Sequence, residues 1–362
     1  MTRIIRYILT LCCMVCFISC STDESPSDPA MVRVVFRLYA PTTTTESRAD
    51  ADPTEGDAED WESAINMDKL HVVLYSKDGR SIGGLENVTL VSTSDPNIYD
   101  VVGSILVDKL SLNNGIFDGQ IMVYANMDGV SETDEFNKDM VDKLTFTANT
   151  GKHHIPMWGI KQLRVSMEAG RQTDIGTINL LRAEAKINVY LRSDMVENYE
   201  LASVKLSRAN KQGYCLPEYA NIQGLSDVQS LAHDAFAHFW SNGKDGNSSS
   251  ESNADKLTDV DMTNKSIYVP EYENKVSATD RASQANAAVI RLTLRDKRDG
   301  KTQNYTLPFV DYDDKGAPTQ TAKDIVRDHY YKFEVYLNDD DMLRVRLKVR
   351  KWYVVKHSEI LM

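Results

Sequence analysis

The chain has 362 residues, with 41 basic against 53 acidic side chains and a formal net charge of −12. A chain this acidic lacks the clustered cations that hold nucleic acid through its phosphates, so nucleic acid is excluded as a partner. Five cysteines, of which only Cys215 lies beyond Cys20, exclude a disulfide framework and leave hydrophobic cores to supply stability.

Arg3 and Arg6 precede an apolar run from Tyr7 to Ile18, the layout of a secretory signal over residues 1–19. The run is shorter than the ~20 residues a membrane-crossing helix needs. It stops at Cys20 in "FISC", where no Cys or His follows at metal-ligand spacing. "FISC" resembles a bacterial lipobox, in which the cysteine receives a diacylglycerol and becomes the first mature residue; the alternative is an ordinary cleaved signal that happens to contain Cys20. Without residues 1–19 the chain carries 39 basic and 53 acidic side chains, a net charge of −14. Residues 20–30, including "STDESPSDP", are small, acidic and proline-bearing, and read as a solvated tether. Such a tether also resembles, weakly, the surface-export signal of some Gram-negative lipoproteins.

From there alternation with a period of two dominates. In the first strand, over 32–39, Val32, Val34, Phe36 and Leu38 share one face. Residues 40–62 have no apolar periodicity and carry Pro41, Pro53 and Gly56, the composition of an accessible loop. Arg48 is the sole basic residue between Arg37 and Lys69, so a trypsin-like protease meets one site there and would leave Ala49 as a new N-terminus. Further strands follow at "LHVVLY", "IMVYAN", "KINVYL", "VIRLTLR" and "YYKFEVYL", broken by turns such as "KDG" and "LNNG". The last, "LRVRLKVRKW", sets Leu343, Val345, Leu347 and Val349 on one face against four cations. One segment departs from the pattern: over 227–240, Leu231, Ala235 and Phe239 recur at helical spacing, predicting an amphipathic helix capped by Ser226 or Asp227. The fold class expected is all-β with one or two short helices, as two tandem antiparallel β-sandwich domains over 31–180 and 181–362.

Candidates for chemistry are few. His153 and His154 are neighbours, which on a strand point to opposite faces; His233 and His238 are one residue too far apart to stack as helical ligands. "DYDDKG" from Asp311 fails as an EF-hand, because Lys315 and Ala322 stand where oxygen ligands belong. A loosely held loop cation is the residual reading there. No phosphate loop, nucleophile elbow or Cys/His dyad is present, so neither catalytic centre, metal site nor cofactor is expected. Trp158 and Tyr272 suit either a sugar-binding platform or a sandwich core.

"IPMWG" (155–159), "LLRAEAKINV" (180–189), "IYVPEY" (267–272) and "VRDHYYKFEVYL" (326–337) resemble, in this order, recurrent segments of the FimA-type fimbrillins, the lipoprotein-derived subunits of type V pili. "MDKLHVVLYSKDG" and "IMVYANMDG" resemble strands of that family's N-terminal domain. "VRDHYY" departs from the commoner "LRNHxY" by Asp328 in place of asparagine. The resemblance implies transthyretin-like sandwiches, a structural, non-enzymatic role in adhesion, and export to the outer membrane as a lipoprotein through Cys20. It implies that an arginine-directed protease removes the first strand and that a strand from the next subunit fills the groove. The C-terminal strand, through Leu343, Val345, Leu347 and Val349, is the donor candidate. Partners would be other pilus subunits, the outer membrane, and a ligand on host or bacterial surfaces. The other readings are an uncleaved fimbrial anchor and a glycan-binding surface lipoprotein.

Overall fold

The computed structural model describes residues 30–40, 60–94, 97–230, 237–240, 256–274, 287–338, 340 and 342–351. The first strand, β1 (Met31–Tyr39), buries Val32, Val34, Phe36 and Leu38 and turns Arg33 and Arg37 to solvent, as its alternation predicts. It lies inside a four-stranded sheet of order β4–β5–β1–β9, with β4 (Glu86–Ser92), β5 (Ile98–Leu106) and β9 (Gln172–Asn179). Facing it is a five-stranded sheet of order β10–β8–β6–β2–β3, from β2 (Leu70–Ser76), β3 (Ser81–Gly84), β6 (Ile116–Ala125), β8 (Met157–Ser166) and β10 (Leu181–Arg182). Side chains of both sheets merge in one core, where Phe36 and Val101 meet Val72, Ile121 and Leu163.

A second sandwich repeats the scheme. One sheet has the order β17–β11–β22–β23, with β11 (Ala185–Leu191), β17 (Ile267–Val269), β22 (His329–Leu337) and β23 (Leu343–Lys351). Opposite it stand β12 (Tyr199–Ser207), β16 (Val260–Asp261), β18 (Val289–Asp296) and β19 (Thr302–Pro308), in the order β16–β12–β18–β19. Ile187, Phe333 and Val335 meet Val204, Ile290 and Leu292 between them. Three short ladders complete the strands: β7 (Thr145–Thr147) with β14 (Gln212–Tyr214), β13 (Ala209–Asn210) with β15 (Lys256–Leu257), and β20 (Val310–Tyr312) with β21 (Pro318–Ala322).

The fold is therefore two β-sandwiches with short helices, α1 (Lys138–Lys143) and α2 (Tyr219–Ile222). Two details depart from the sequence reading. The sheets are not purely antiparallel, because β1 runs parallel to β9 and β11 runs parallel to β22. The helix expected over 227–240 is not continuous: Val228–Ser230 forms one 3-10 turn and residues 237–240 have no helical structure, while residues 231–236 lie outside the described residues. The turn is fixed by Asp227, whose carboxylate accepts the Gln229 N–H at 2.8 Å. Further on, His238 is drawn off the helical path, since its backbone N–H is donated to Glu271 and its ring stacks on Tyr214 at 3.7 Å.

The five-stranded sheet is covered on its outer face as well. Val73, Tyr75, Tyr124 and Trp158 pack beneath Met140 and Val141 of α1 and beneath Cys215, Leu216 and Ile222 from the segment after β14. Two buried faces explain why β2 and β6 read as continuous apolar runs. The "KDG" turn needs its glycine: Gly79 has φ +88, and a Cβ there would stand 2.7 Å from the Phe136 carbonyl oxygen.

Candidate assembly site at the first strand and the sandwich junction

The first strand is held on both sides. It pairs antiparallel with β5 from Met31 to Tyr39, and parallel with β9 from Arg33 to Tyr39 with one irregularity after Val35. On its outer face Arg37 meets Asp100 at 3.2 Å. A strand inside a sheet leaves a groove between its neighbours if it departs, and such a groove suits strand addition. The processing residues Arg48 and Ala49 and the lipidation residue Cys20 lie outside the described residues.

Leu343, Val345, Leu347 and Val349 all sit on β23, an edge strand in continuous antiparallel register with β22. Val345 is buried and the other three are half-buried against the second core, so this strand fills a place in its own sandwich. Its free edge is partly covered, because the Val345 N–H is donated to the Gly316 carbonyl at 3.0 Å. Asn338 closes the preceding turn by accepting the N–H groups of Asp340 and Met342.

Between the sandwiches the residues of "LLRAEAKINV" and "VRDHYY" form a buried polar cluster around Glu62. Lys186 Nζ stands 2.5 Å from Glu62 Oε1, and the Tyr268 hydroxyl donates to the same oxygen. Arg182, wholly buried, donates to the Glu62 carbonyl at 3.1 Å and to Ser63 Oγ at 3.0 Å, with Asp328 at 3.9 Å. Burial pulls the Arg182 guanidinium down, against the upward pull of the Asp328 and Glu62 carboxylates. His153 Nε2 lies 3.0 Å from Glu184 Oε2, an ion-pair contact poorly aligned as a hydrogen bond. Burial raises the Glu184 carboxyl, an effect His153 opposes. Burial pulls the His153 ring down, but the Glu184 carboxylate and the Gly151 carbonyl more than offset this and leave it raised. Nearby, Arg327 Nη2 meets Glu271 at 2.6 Å, and its guanidinium also donates to the Tyr214 and Cys215 carbonyls. Trp61 packs edge-on against Tyr268 at 4.8 Å.

This cluster pins residues 61–63, which follow Arg48 in sequence. Sequence reading missed Glu62, Arg182, Glu184 and Lys186 as a group; the available signal was three charges at alternate positions inside an otherwise apolar stretch. Asp328 also finds its reason. Its φ is +53, a left-handed conformation in which Asn and Asp are enriched, and its N–H is donated to the Glu184 carbonyl at 2.8 Å.

The other candidates resolve as structure. Trp158 and Tyr272 are buried core residues rather than a sugar platform. His153 is half-buried against Glu184 while His154 is exposed, so the two do not converge. His233 lies outside the described residues. Asp313 accepts the N–H groups of Lys315 and Ala317, which makes "DYDDKG" a tight turn. Burial pushes the lone Cys215 thiol up to about 12, which keeps it unreactive. Among the described residues no group of His, Cys, Asp and Glu could hold a metal ion.

The chain is a tandem of β-sandwiches with its first described strand inside a sheet, and its family is one of fimbrial structural proteins rather than enzymes. The chain belongs to the family of fimbrillin-A associated anchor proteins Mfa1 and Mfa2, which it matches over residues 23–358. Among solved structures, it is similar to a fimbrilin (FimA) from Porphyromonas gingivalis W83, at 16% identity and a TM-score of 0.47, covering 90% of this chain and 98% of the other. A fimbrial assembly protein from Parabacteroides distasonis ATCC 8503 is similar at 13% identity and a TM-score of 0.46, covering 90% of this chain and 100% of the other. No curated protein matches the chain.

Proposed function

We propose that the chain is a stalk or tip subunit of a fimbrium, exported as a lipoprotein through Cys20 and assembled by strand exchange at the place of β1. The observation that carries this reading is β1 itself: it is the first described strand, interior in its sheet, and supplies four core side chains at two-residue spacing. A cut after Arg48 frees it, and a strand from another subunit, with β23 the candidate through Leu343, Val345, Leu347 and Val349, replaces it. The domains proposed, 31–180 and 181–362, rest on the two separate sandwich cores. A second reading is favoured by the family description, which names anchor proteins. In that reading Arg48 stays uncut and β1 stays in its groove beside the lipid. Mass spectrometry of protein taken from the cell surface separates the two. A chain starting at Ala49 in assembled fimbriae supports the polymerising subunit, whereas one starting at lipidated Cys20 makes it the anchor. A Cys20→Ala chain that still takes up a fatty-acid label removes the lipoprotein claim from both.

A further inference from the structure

A groove of about 430 Å³ opens where the first sandwich meets the outer face of the β17–β11–β22–β23 sheet. Among the described residues its lining holds Lys152, Lys186, Lys265 and Lys332 and no Asp or Glu, in a chain whose net charge is −12. Among the described residues, Glu62 stands against Lys186, and Asp261 against Lys265 at 2.9 Å, behind this lining. The lysines are interleaved with rings. Lys186 Nζ lies 5.2 Å from the centroid of Tyr330, and Lys332 Nζ lies 4.6 Å from that of Tyr190. Trp61 and Tyr268 also line it. Asn188, Asn264 and Ser266 add amide and hydroxyl groups to the lining, with Asn188 donating to Ser266 Oγ at 3.1 Å.

We infer that this groove binds an acidic polysaccharide through a uronic-acid-type residue. Flat aromatic faces stack on the apolar C–H face of a pyranose ring, amides and hydroxyls meet its hydroxyl groups, and ammonium groups meet its carboxylate. An extended acidic peptide is disfavoured, because the groove lies on the face of a sheet whose main chain is already paired along β11 and β22, and it offers no open edge. The acidic remainder of the surface repels a polyanion and confines its contact to this patch. The inference does not rest on strand exchange, since the groove is present with β1 in place.

The test uses the intact chain and a short oligogalacturonate, with the neutral oligogalactose of equal length as control, by isothermal titration. Oligogalacturonate should bind, lose affinity at least tenfold in half-molar salt as its charge contacts are screened, and bind better than oligogalactose. Lys152→Ala/Lys265→Ala alters two exposed side chains and should weaken binding tenfold or more with an unchanged melting curve. Tyr190→Leu should weaken oligogalacturonate and oligogalactose alike. No binding by the intact chain, equal binding by the double lysine variant, or equal binding of polyglutamate would each overturn the proposal.

Discussion

The consequence of losing β1 without a replacement can be worked from its burial. Val32, Val34 and Leu38 are 0% exposed and Phe36 is 3% exposed, all four in the first core. Burying an apolar side chain of this size contributes about 1.5–3 kcal/mol, so the four together contribute about 6–12 kcal/mol. The lower half of that range is the better guide, because the unfolded chain already buries part of this surface. Domains are stable by only about 5–15 kcal/mol. A chain beginning at Ala49 should therefore lose the thermal transition of the first sandwich, while the second, whose core contains none of these residues, keeps its own. Differential scanning calorimetry of the intact and shortened chains reads this directly. A synthetic peptide with the sequence of residues 31–39 should restore the lost transition. If the shortened chain melts as the intact one does, β1 is not integral to the core and the strand-exchange argument collapses.

Val345→Asp places a carboxylate in the second core, which costs several kcal/mol when nothing pairs with it; thermal melting of the monomer should show the loss, and a variant that melts normally yet fails to assemble would mark β23 as a donor that leaves its sheet. Glu62→Ala leaves Lys186 buried without its carboxylate partner and should destabilise the intact chain by about 3–5 kcal/mol, measured by urea unfolding. Asp328→Asn should be tolerated, whereas Asp328→Val, with a branched Cβ at φ +53, should lower stability by about 1–3 kcal/mol; equal melting of the two variants would remove the backbone explanation. For pH, Glu184 is raised above its ordinary 4.5 and His153 above its ordinary 6.5, so the folded chain holds both protons more tightly than the unfolded one. Each contributes stability that is complete below its ordinary value and is lost as pH rises through the folded value. The melting temperature should fall as pH climbs from about 5 towards 8, and His153→Gln/Glu184→Gln should flatten that fall.

The fold was most legible where a strand buries one face only. In β1 and β18 the alternation maps residue by residue onto the core. The reading faltered where the environment is not one-sided. At 227–240 helical spacing was present, but the Glu271 carboxylate and the Tyr214 ring hold His238 elsewhere, and no local pattern reveals partners so distant in sequence. The parallel pairings of β1 with β9 and β11 with β22 were equally hidden, since alternation carries no information about a neighbour's direction. At the candidate site the apolar stripes of β1 and β23 were readable, but the partners of Arg182, Glu184 and Lys186 were not. Glu62 lies more than a hundred residues away, and periodicity alone gives no reason for a charge to be buried.

The passage from the first sandwich to the second has a mechanical consequence. β9 ends at Asn179, β10 joins the five-stranded sheet at Leu181–Arg182, and β11 opens the second sandwich at Ala185. The residues between are buried, with Arg182 and Glu184 at 0% exposure, and the ladder of β7 with β14 ties the halves a second time. Domains joined by an exposed spacer swivel by default; here there is no slack to swivel on. A pull applied at one end of the molecule reaches the other through side-chain packing and charge pairs rather than through a tether that straightens. Repeated along a filament, such units would make a stiff rod whose compliance lies at the contacts between subunits.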